Sequence, residues 1–584
     1  MKKKYLLTAL FFAFFINLKS QTPVRDSLNL NNINASINSD GFLFTNTSNM
    51  TPRFEVPKGS GKNTFFAANL WIGAKDLNDS LHLAAMRYGQ VGKDFWPGPV
   101  SNVYDSAYDA QWNKIWKISK SEIDYHLSNC WTPGYIPSQN LIDWPGNGNP
   151  SLGQAKLMAP FFDFNNDSIY DPFAGDYPII KGDQALFFIF NDDRNLHTES
   201  GGLKLGIELH GMAYEFDCPQ DSAFWNTLFI NYKIFNRSTN LYESVIVGVF
   251  TDFDIGYPSD DYVACDVKRS SFYGYNGRQK DGNGEPEAYD YFAPAQSVTF
   301  LGGPNMDSDG IDNAVGGCDV SINGSNFGNG DIDDERFGLR KFVYFNNGGD
   351  FATSDPEIAS HYFGFLNGTW KDGAQMQWGG NGHPSSGSCG PDCNFMFPGQ
   401  IDSCFWNTGG LAPNCDTVWT EVTANNPPGD RRGLGSSGPF SLQPGASNEF
   451  DLAFVFARNY SDSSNLASVV VMQERIDSIS KAFTNDITPC GGSFSAVNEI
   501  NQIPLQVNVF PNPSTGIFTI QQNNSNSQKY SLSVWNIQGQ LMLSEKVEFE
   551  KTIQLDINKF ANGIYFLSLQ NEKEQIVKKL VIQH

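Results

Sequence analysis

The sequence has few histidines and few cationic side chains. Only 7 of its 584 residues are histidine, and 40 lysines and arginines stand against 63 aspartates and glutamates, which gives a formal net charge of −23 at pH 7. Histidine is the most frequent general base in catalysis, so its scarcity disfavours the hydrolase classes that depend on it. A surface this acidic repels nucleic acid and anionic lipid, and neither is expected as a partner.

The common catalytic signatures are also missing. There is no HExxH motif and no GxSxG nucleophile elbow, and Gly59-Ser60-Gly61-Lys62 lacks the earlier glycine that a phosphate-binding loop requires. After the N-terminus, no segment reaches the roughly 18 consecutive apolar residues of a membrane-spanning helix. We therefore expect a chain without a transmembrane anchor and give no residue a catalytic role.

The first twenty residues have the pattern of a secretory signal peptide. Lys2, Lys3 and Lys4 precede an apolar stretch over 5–18, and the small residue Ser20 offers a cleavage point before Gln21. Removal of residues 1–20 takes away four lysines and makes the formal charge −27. The sequence thus predicts an exported protein.

Short aromatic and β-branched runs, separated by turn residues, dominate the rest of the chain and predict a mainly β fold. The clearest strands are at 184–190, 224–235, 244–250, 340–345 and 449–457. Helical spacing of apolar residues predicts one amphipathic helix over 464–483. We expect a large β-rich body with long loops at 21–484, comprising one or more subdomains, and a linker at 485–504.

Cysteines lie throughout the exported part of the chain, where oxidising conditions favour disulfides. The nine are at positions 130, 218, 265, 318, 389, 393, 404, 415 and 490. An odd count leaves at least one unpaired. Local pairing within 389–415 is favoured over a zinc site at Cys389 and Cys393, because no second Cys/His pair follows at finger-like spacing.

The last eighty residues alternate apolar and polar positions most regularly. Seven short strands with turns between them predict an immunoglobulin-like β-sandwich at 505–584. The segment also carries an ordered set of turn and strand residues: Phe510, Pro511, Asn512, Pro513, Gly516, Gly539, Gly563, Tyr565, Lys578 and Lys579. These motifs resemble the type A C-terminal sorting domain of the type IX secretion system of Bacteroidota.

The resemblance implies export through the type IX machinery to the cell surface or the medium, with this domain as the contact to that machinery. It also implies removal of the domain on export, with release of the protein or its attachment to surface lipopolysaccharide. Segments of the body, such as LWIGA at 70–74 and DFWPGP at 94–99, resemble an uncharacterised secreted Bacteroidota family that supplies no activity.

Acidic loops are the main chemical signal of the body. Asp163, Asn165, Asp167 and Asp171 occupy positions 1, 3, 5 and 9 of a loop, the spacing with which oxygen side chains wrap calcium. The Ile169 carbonyl would be a further ligand, and Asp176 would complete the shell. Position 6 is Ser168 instead of the usual glycine, and a metal-free turn is the alternative.

Two further acidic groups are weaker calcium candidates. They are Asp252, Asp254, Asp260, Asp261 and Asp266, and Asp307, Asp309 and Asp312 together with the segment 331–335. The sequence predicts a non-catalytic, calcium-stabilised surface or secreted protein with a role in adhesion or glycan contact. The alternative is a calcium-dependent polysaccharide hydrolase that uses paired carboxylates from these loops.

Overall fold

The computed structural model describes residues 22–88, 91–316, 319–346, 348–400, 408–411, 413–415, 417–495, 507–522, 528–537, 539–549, 552–570 and 575–584. The predicted signal peptide lies outside them. The chain divides into two compact units. The first comprises Met1–Ile123, Ser138–Tyr170 and Asp176–Ala496, and the second comprises Asp124–Pro137, Asp171–Gly175 and Val497–His584.

The first unit is built on two large antiparallel sheets. One has nine strands: in spatial order Asp261–Asp266, Ser271–Asn276, Ala295–Gly302, Ser447–Ala457, Thr227–Asn236, Ile207–Glu215, Gln184–Asn191 and Trp96–Pro97, with Trp116–Ser119 also paired to Gln184–Asn191. The other has five: Lys341–Phe345, Arg431–Leu442, Tyr242–Phe253, Phe65–Lys75 and Leu81–Ala85.

The first unit also contains smaller strand pairings. Arg25–Leu28, Asn34–Asn38 and Phe54–Glu55 form a three-stranded sheet. The two-stranded pairs are Thr45–Asn46 with Thr51–Pro52, Phe161–Phe162 with Tyr177–Pro178, Lys280–Asp281 with Asp290–Tyr291, and Gly399–Gln400 with Val418–Trp419.

Aromatic side chains link the two large sheets. Phe253 of the five-stranded sheet contacts Phe272 of the nine-stranded sheet with ring centroids 6.2 Å apart. Phe65 contacts Phe454 in the same way at 5.7 Å. Central strands such as Gln184–Asn191 are buried on nearly every residue, because both of their faces are covered. This explains why the apolar runs of the body are continuous instead of alternating.

The predicted amphipathic helix is present as Ala467–Thr484. Its buried face includes Val469, Met472, Ile476 and Ile479, at the helical spacing seen in the sequence. The structure adds the α-helices Ser106–Trp112, Lys120–Asn129, Gln139–Ile142 and Ala359–Leu366, and the 3-10 turns Pro150–Leu152, Pro172–Ala174, Phe224–Asn226, Val320–Ile322 and Phe351–Thr353. These elements are too short for periodicity to predict.

The start of the predicted linker is packed against the body. Cys490 forms a disulfide with Cys218. Phe494 is 2% exposed, and its ring lies 5.3 Å from that of Phe216. The ordered body therefore extends beyond residue 484, to at least Phe494. The rest of the predicted linker, 496–504, lies outside the described residues.

In the second unit, residues 507–584 form two antiparallel sheets around one core. Strands Val507–Phe510, Ile517–Gln522 and Thr552–Asp556 make a three-stranded sheet, and Leu541–Phe549, Gln528–Asn536, Gly563–Gln570 and Gln575–Ile582 make a four-stranded one. Phe518 and Ile520 of the first sheet share a core with Leu532 and Leu567 of the second. The fold is mainly β, as predicted, and its immunoglobulin-like topology stays a prediction.

The described cysteines fall into pairs and free thiols. Cys389 and Cys415 form a disulfide, which confirms the predicted local pairing within 389–415. Cys130, Cys265 and Cys393 are free, and the last two are buried. No helix in the described part of the chain is both long and apolar enough to cross a membrane.

Candidate functional site

The motif Pro511-Asn512-Pro513 ties the first strand of the C-terminal fold to its last strand. The Asn512 side chain donates to the Lys579 carbonyl at 2.6 Å and accepts from the Val581 amide at 2.8 Å. Ser514 continues the contact, because its amide donates to the Val581 carbonyl at 2.9 Å. The Asn512 side chain thus forms two hydrogen bonds with the backbone of the last strand, one as donor and one as acceptor. We call this pair of hydrogen bonds the Asn512 clamp.

Two glycines of the motif set are required by the backbone. Gly516 has φ of +108°, and a Cβ there would lie 2.4 Å from the Cα of Asn558. Gly539 has φ of +73° in the turn that follows Asn536. Only glycine takes up such conformations without strain, and at Gly516 only glycine fits. Gly563, by contrast, begins a strand and has no close neighbour that would exclude a side chain.

The remaining motif residues lie on the last two strands. Tyr565 is buried, and its hydroxyl donates to the Ala561 carbonyl at 3.0 Å. Lys578 and Lys579 are exposed on the last strand. An open depression of about 580 Å³ is lined by Pro511, Pro513, Ser514, Thr515, Ile517 and Gln583. The motif therefore combines buried residues that hold the fold with exposed residues on the surface of the domain.

Hydrogen bonds from backbone amides to side-chain oxygens order the predicted calcium loop. Asp163 accepts the amides of Asp167 at 3.2 Å and of Ser168 at 2.7 Å, and Asp167 accepts the Ile169 amide at 2.7 Å. Ser168, at position 6, has φ of +61°, the left-handed conformation for which such loops use glycine. The Asn165 amide also donates to Asp167 at 2.9 Å, a contact that a bound cation would replace.

The outer predicted ligands of this loop lie in different surroundings. Asp176 is buried and accepts the Phe164 amide at 2.9 Å. Asp171 belongs to the short segment Asp171–Gly175 of the second unit, where it caps the turn Pro172–Ala174 by accepting the Phe173 amide at 2.9 Å. Among all described residues, no three His, Cys, Asp or Glu side chains are grouped so that they could hold a metal ion.

The five aspartates predicted at 252–266 do not form one group. Asp261 and Asp266 are the first and last residues of one strand, so about 16 Å separates them. Asp266 pairs with Arg269 at 2.8 Å. Asp261 is fully buried and accepts the Ile255 amide, and Asp260 accepts the Gly282 amide at 3.1 Å. The predicted ligands therefore do not share one loop, because a strand separates Asp260 and Asp261 from Asp266.

Asp252 and Asp254 instead approach an arginine on the neighbouring strand. Arg432 lies directly across from Asp252, with Nε 3.4 Å from Oδ1, and donates to Asp430 at 3.0 Å. Its guanidinium stacks over the Tyr88 ring, 4.0 Å from the centroid. We name Asp252, Asp254, Asp430, Arg432 and Tyr88 the Arg432 cluster. Sequence reasoning missed Asp430 and Arg432 because they come 176 or more positions after Asp254.

Burial controls the acidity of this cluster. It raises the pKa of Asp252 well above its usual range, although Arg432 opposes the shift. Burial, helped by the nearby Asp430 charge, raises the pKa of Asp254 to about 7. Near neutral pH the cluster thus combines a carboxyl that carries a proton part of the time with a cation, a pattern found at both structural and catalytic sites.

A second carboxyl that the sequence did not single out lies beside Asp260 and Asp261. Asp281 is fully buried and accepts the amides of Tyr257 and Tyr289. Burial raises its pKa to about 7 even though both of its oxygens accept hydrogen bonds. One oxygen each of Asp260 and Asp261 is buried without a hydrogen-bond partner. Because both oxygens of Asp281 accept backbone amides, this carboxyl has a structural role.

Backbone amides donate hydrogen bonds to Asp307, Asp309 and Asp312 of the third predicted group. Asp307 accepts from the Ser441 amide and hydroxyl, both at 2.7 Å. Asp309 accepts the Ile311 amide, and Asp312 accepts the Gly328 and Gly330 amides at 2.9 Å each. The carboxylates replace the regular backbone pairing that a long loop lacks.

Comparison with known proteins identifies the C-terminal fold. Residues 508–583 match the family model of the secretion system C-terminal sorting domain. The segment with the Asn512 clamp is therefore a type IX sorting domain, as its motifs predicted. The chain is a protein secreted to the cell surface or the extracellular space, and the type IX machinery is its partner. No curated protein matches the chain. The resemblance of the body to an uncharacterised family stays a prediction.

Solved structures add little. A polysaccharide lyase has 8% identity and a TM-score of 0.18, over 68% of this chain and 39% of its own. A biofilm-associated protein BSP domain has 9% identity and a TM-score of 0.15, over 98% of this chain and 84% of its own. The chain thus spans about 39% of the length of that lyase. Similarities this weak carry no argument about function.

Proposed function

We propose that the exported body is a contact module at the cell surface or in the medium, stiffened by calcium at the loop that begins with Asp163, with adhesion or glycan contact as its role. One observation carries the proposal: Asp163 accepts the amides of positions 5 and 6 of the loop, while Ser168 has the left-handed backbone conformation at position 6. These features support the proposal because they curl the segment that carries Asp163, Asn165 and Asp167 into one turn, the kind of loop from which oxygen side chains bind a hard cation.

Calcium would also relieve an electrostatic cost. Asp163 and Asp167 are held on one short loop of a chain with a formal charge of −23. A divalent cation neutralises carboxylates that would otherwise repel each other. Because calcium would bind the folded loop and not the unfolded chain, it would add to the free energy of unfolding through linkage. A metal-free turn held by side-chain hydrogen bonds is the alternative.

Thermal unfolding tests the calcium site. The wild type should melt at a higher temperature in millimolar calcium than in chelator, and Asp163→Ala plus Asp167→Ala should lose that difference. The matched control is Asp79→Ala plus Asp290→Ala, which removes two exposed carboxylates that pair with lysines. A wild-type melting temperature indifferent to calcium would refute the proposal, and a response retained in the loop variant would move the ion elsewhere.

A glycan panel tests the contact role. Binding without release of reducing ends supports a contact module. An absence of binding across polysaccharides and lipopolysaccharide contradicts the role in glycan contact, while the calcium site is judged by the melting experiment alone.

The Arg432 cluster favours a second candidate, a calcium-dependent polysaccharide hydrolase. Asp254, whose pKa burial raises to about 7, would be the proton donor, and the nearby Asp430 would be its partner carboxylate. Paired carboxyls about 5 to 10 Å apart are the groups that glycoside hydrolysis needs. Release of reducing ends by the wild type, lost in Asp254→Asn, would establish this candidate in place of the contact module.

A further inference from the structure

A serine, a histidine and an aspartate meet on two adjoining turns of the body, away from the acidic loops. The Ser385 hydroxyl lies 2.7 Å from Nδ1 of His383. On the opposite side of the imidazole, Nε2 lies 3.0 Å from Oδ2 of Asp372. A nucleophile, a base and a group that orients the base are the parts of a catalytic triad, which is defined by geometry and not by the order of its residues along the chain.

The hydrogen bonds define which ring nitrogen carries the proton. The Ser385 backbone amide, which only donates, lies 3.1 Å from Nδ1 of His383. Nδ1 is therefore the acceptor in the neutral ring, and Nε2 carries the proton and donates it to Asp372. In this tautomer the Ser385 amide and the Ser385 hydroxyl share the lone pair of Nδ1, and the hydroxyl is the closer of the two, at 2.7 Å. Nδ1 is thus within reach of the hydroxyl proton, as a general base must be.

Rigid turns hold the three side chains. Trp370 and Ala374 close the turn that carries Asp372, and the Asp372 carboxylate accepts the Ala374 amide at 3.0 Å. This hydrogen bond and the one to His383 lower the pKa of Asp372, so the carboxylate is ionised. The His383 ring is 6% exposed and packs edge-on against Trp370, with centroids 6.1 Å apart.

The nucleophile itself is accessible. Ser385 is exposed on the turn that the Ser386 amide closes to the His383 carbonyl at 2.8 Å. Burial of the base beneath an exposed nucleophile is the arrangement in which a substrate reaches the serine while the imidazole keeps its orientation. An exposed serine suits a carbonyl group that protrudes from its carrier, such as a short-chain carboxylic ester.

We propose that Ser385, His383 and Asp372 form a serine-hydrolase site for short-chain carboxylic esters. Oγ of Ser385 attacks the ester carbonyl as its proton moves to Nδ1 of His383, the ester C–O bond breaks, and the alcohol leaves with that proton. Water then attacks the acyl-serine through the same base and releases the acid. Asp372 keeps Nε2 protonated and stabilises the imidazolium. This activity goes beyond the contact role and does not depend on calcium.

A fluorophosphonate probe, which forms a covalent bond with activated serines, tests the site on the chain 21–584 with its disulfides intact. Peptide mass spectrometry should locate the label on Ser385, and Ser385→Ala should abolish it. His383→Gln should slow labelling about 100-fold, since a general base contributes at least that much. Asp372→Asn should slow it about tenfold or more, by weakening control of the tautomer. Hydrolysis of p-nitrophenyl acetate should fall in parallel.

The matched control is Ser388→Ala, which removes a nearby hydroxyl that donates to Gln377 at 3.1 Å and not to His383. It should label as fast as the wild type. Labelling that persists in Ser385→Ala, or that is equally fast in His383→Gln, would overturn the proposal and leave the three residues a structural role. If Ser385→Ala lowers the melting temperature, Ser385→Cys takes its place. Iodoacetamide should then alkylate the residue at position 385 about tenfold faster when His383 is present than in the double variant with His383→Gln. Equal rates of alkylation would refute the site.

Discussion

Cys218 and Cys490 form a disulfide that joins positions 272 residues apart in the chain. It attaches the segment after the long helix to the loop that follows the strand Ile207–Glu215 of the nine-stranded sheet. The other described disulfide, Cys389–Cys415, spans 26 residues. The two bonds therefore restrict the unfolded chain to very different extents.

Removal of the long-range disulfide should destabilise the body more than removal of the local one. The loop-closure model gives about 5 kcal/mol for a loop of the longer kind and about 3 kcal/mol for the shorter. We expect Cys218→Ala plus Cys490→Ala to melt at a lower temperature than Cys389→Ala plus Cys415→Ala in calorimetry. The reverse order would show that strain or local packing outweighs chain entropy.

Phe494 should be part of the folded body. Its ring is buried and contacts those of Phe216 and Phe483 at 5.3 and 5.2 Å. Phe494→Ala should lower the free energy of unfolding by about 3 to 4 kcal/mol in denaturant titration, the usual cost of a large cavity. Phe510→Ala, at an exposed phenylalanine of the sorting domain, is the control and should leave the unfolding of the body unchanged. A small change in the free energy of unfolding for Phe494→Ala would show that this segment belongs to the linker.

Asp254 should make the body less stable as pH rises. Burial raises its pKa to about 7 in the folded state, above the unfolded value of about 4. The folded state therefore holds a proton that the unfolded chain releases, so the stabilisation is complete below about pH 4 and is lost as pH rises through about 7.

Asp254→Asn should remove this dependence, with a gain on the order of 4 kcal/mol at pH 8 and little change at pH 4, measured by urea unfolding at both pH values. Asp79→Asn, at an exposed carboxylate, is the control and should follow the wild type. If the free energies of unfolding of Asp254→Asn and the wild type change in parallel with pH, ionisation of Asp254 does not destabilise the folded state.

The Asn512 clamp should be needed for export. Asn512→Ala removes two hydrogen bonds between the motif and the last strand, and we expect it to lower the melting temperature of the sorting domain and the amount of protein at the surface. Gly516→Val should have a larger effect, because a side chain there meets the Asn558 backbone. Gly563→Ala is the matched control, since that position is open.

Deletion of residues 505–584 should leave the predicted signal peptide active and hold the body in the periplasm. Cell fractionation with protease accessibility measures the outcome. Surface display of the truncated protein at the normal level would contradict the assignment of the sorting domain.

The regular elements with strong patterns were predictable from the sequence. The helix predicted at 464–483 is present as Ala467–Thr484, because one face repeats at helical spacing over five turns. The strand predicted at 224–235 begins instead at Thr227, after a 3-10 turn at Phe224–Asn226. Aromatic residues fill both elements, so their pattern alone does not separate a turn from a strand.

The candidate sites were less predictable. The sequence predicts Asp252 and Asp254 as part of an acidic loop, but Asp252 lies within the strand Tyr242–Phe253 and Asp254 follows it directly. Their neighbour Arg432 comes from a strand far along the chain. Ser385, His383 and Asp372 belong to no linear motif, since they come together only because two turns adjoin.

The sequence by itself determined the export route and the sorting domain. The signals of the sorting domain are local: a proline-rich motif, and glycines where the backbone must turn. The signal peptide at 1–20 stays a prediction. Only the tertiary structure decided which carboxylates meet an arginine, which cysteines pair over 272 residues, and which histidine and aspartate lie within hydrogen-bond distance of each other. The physical reason is that strand register and turn packing arise from contacts distant in sequence. In a strand, a shift of one residue would direct a side chain such as Arg432 to the opposite face.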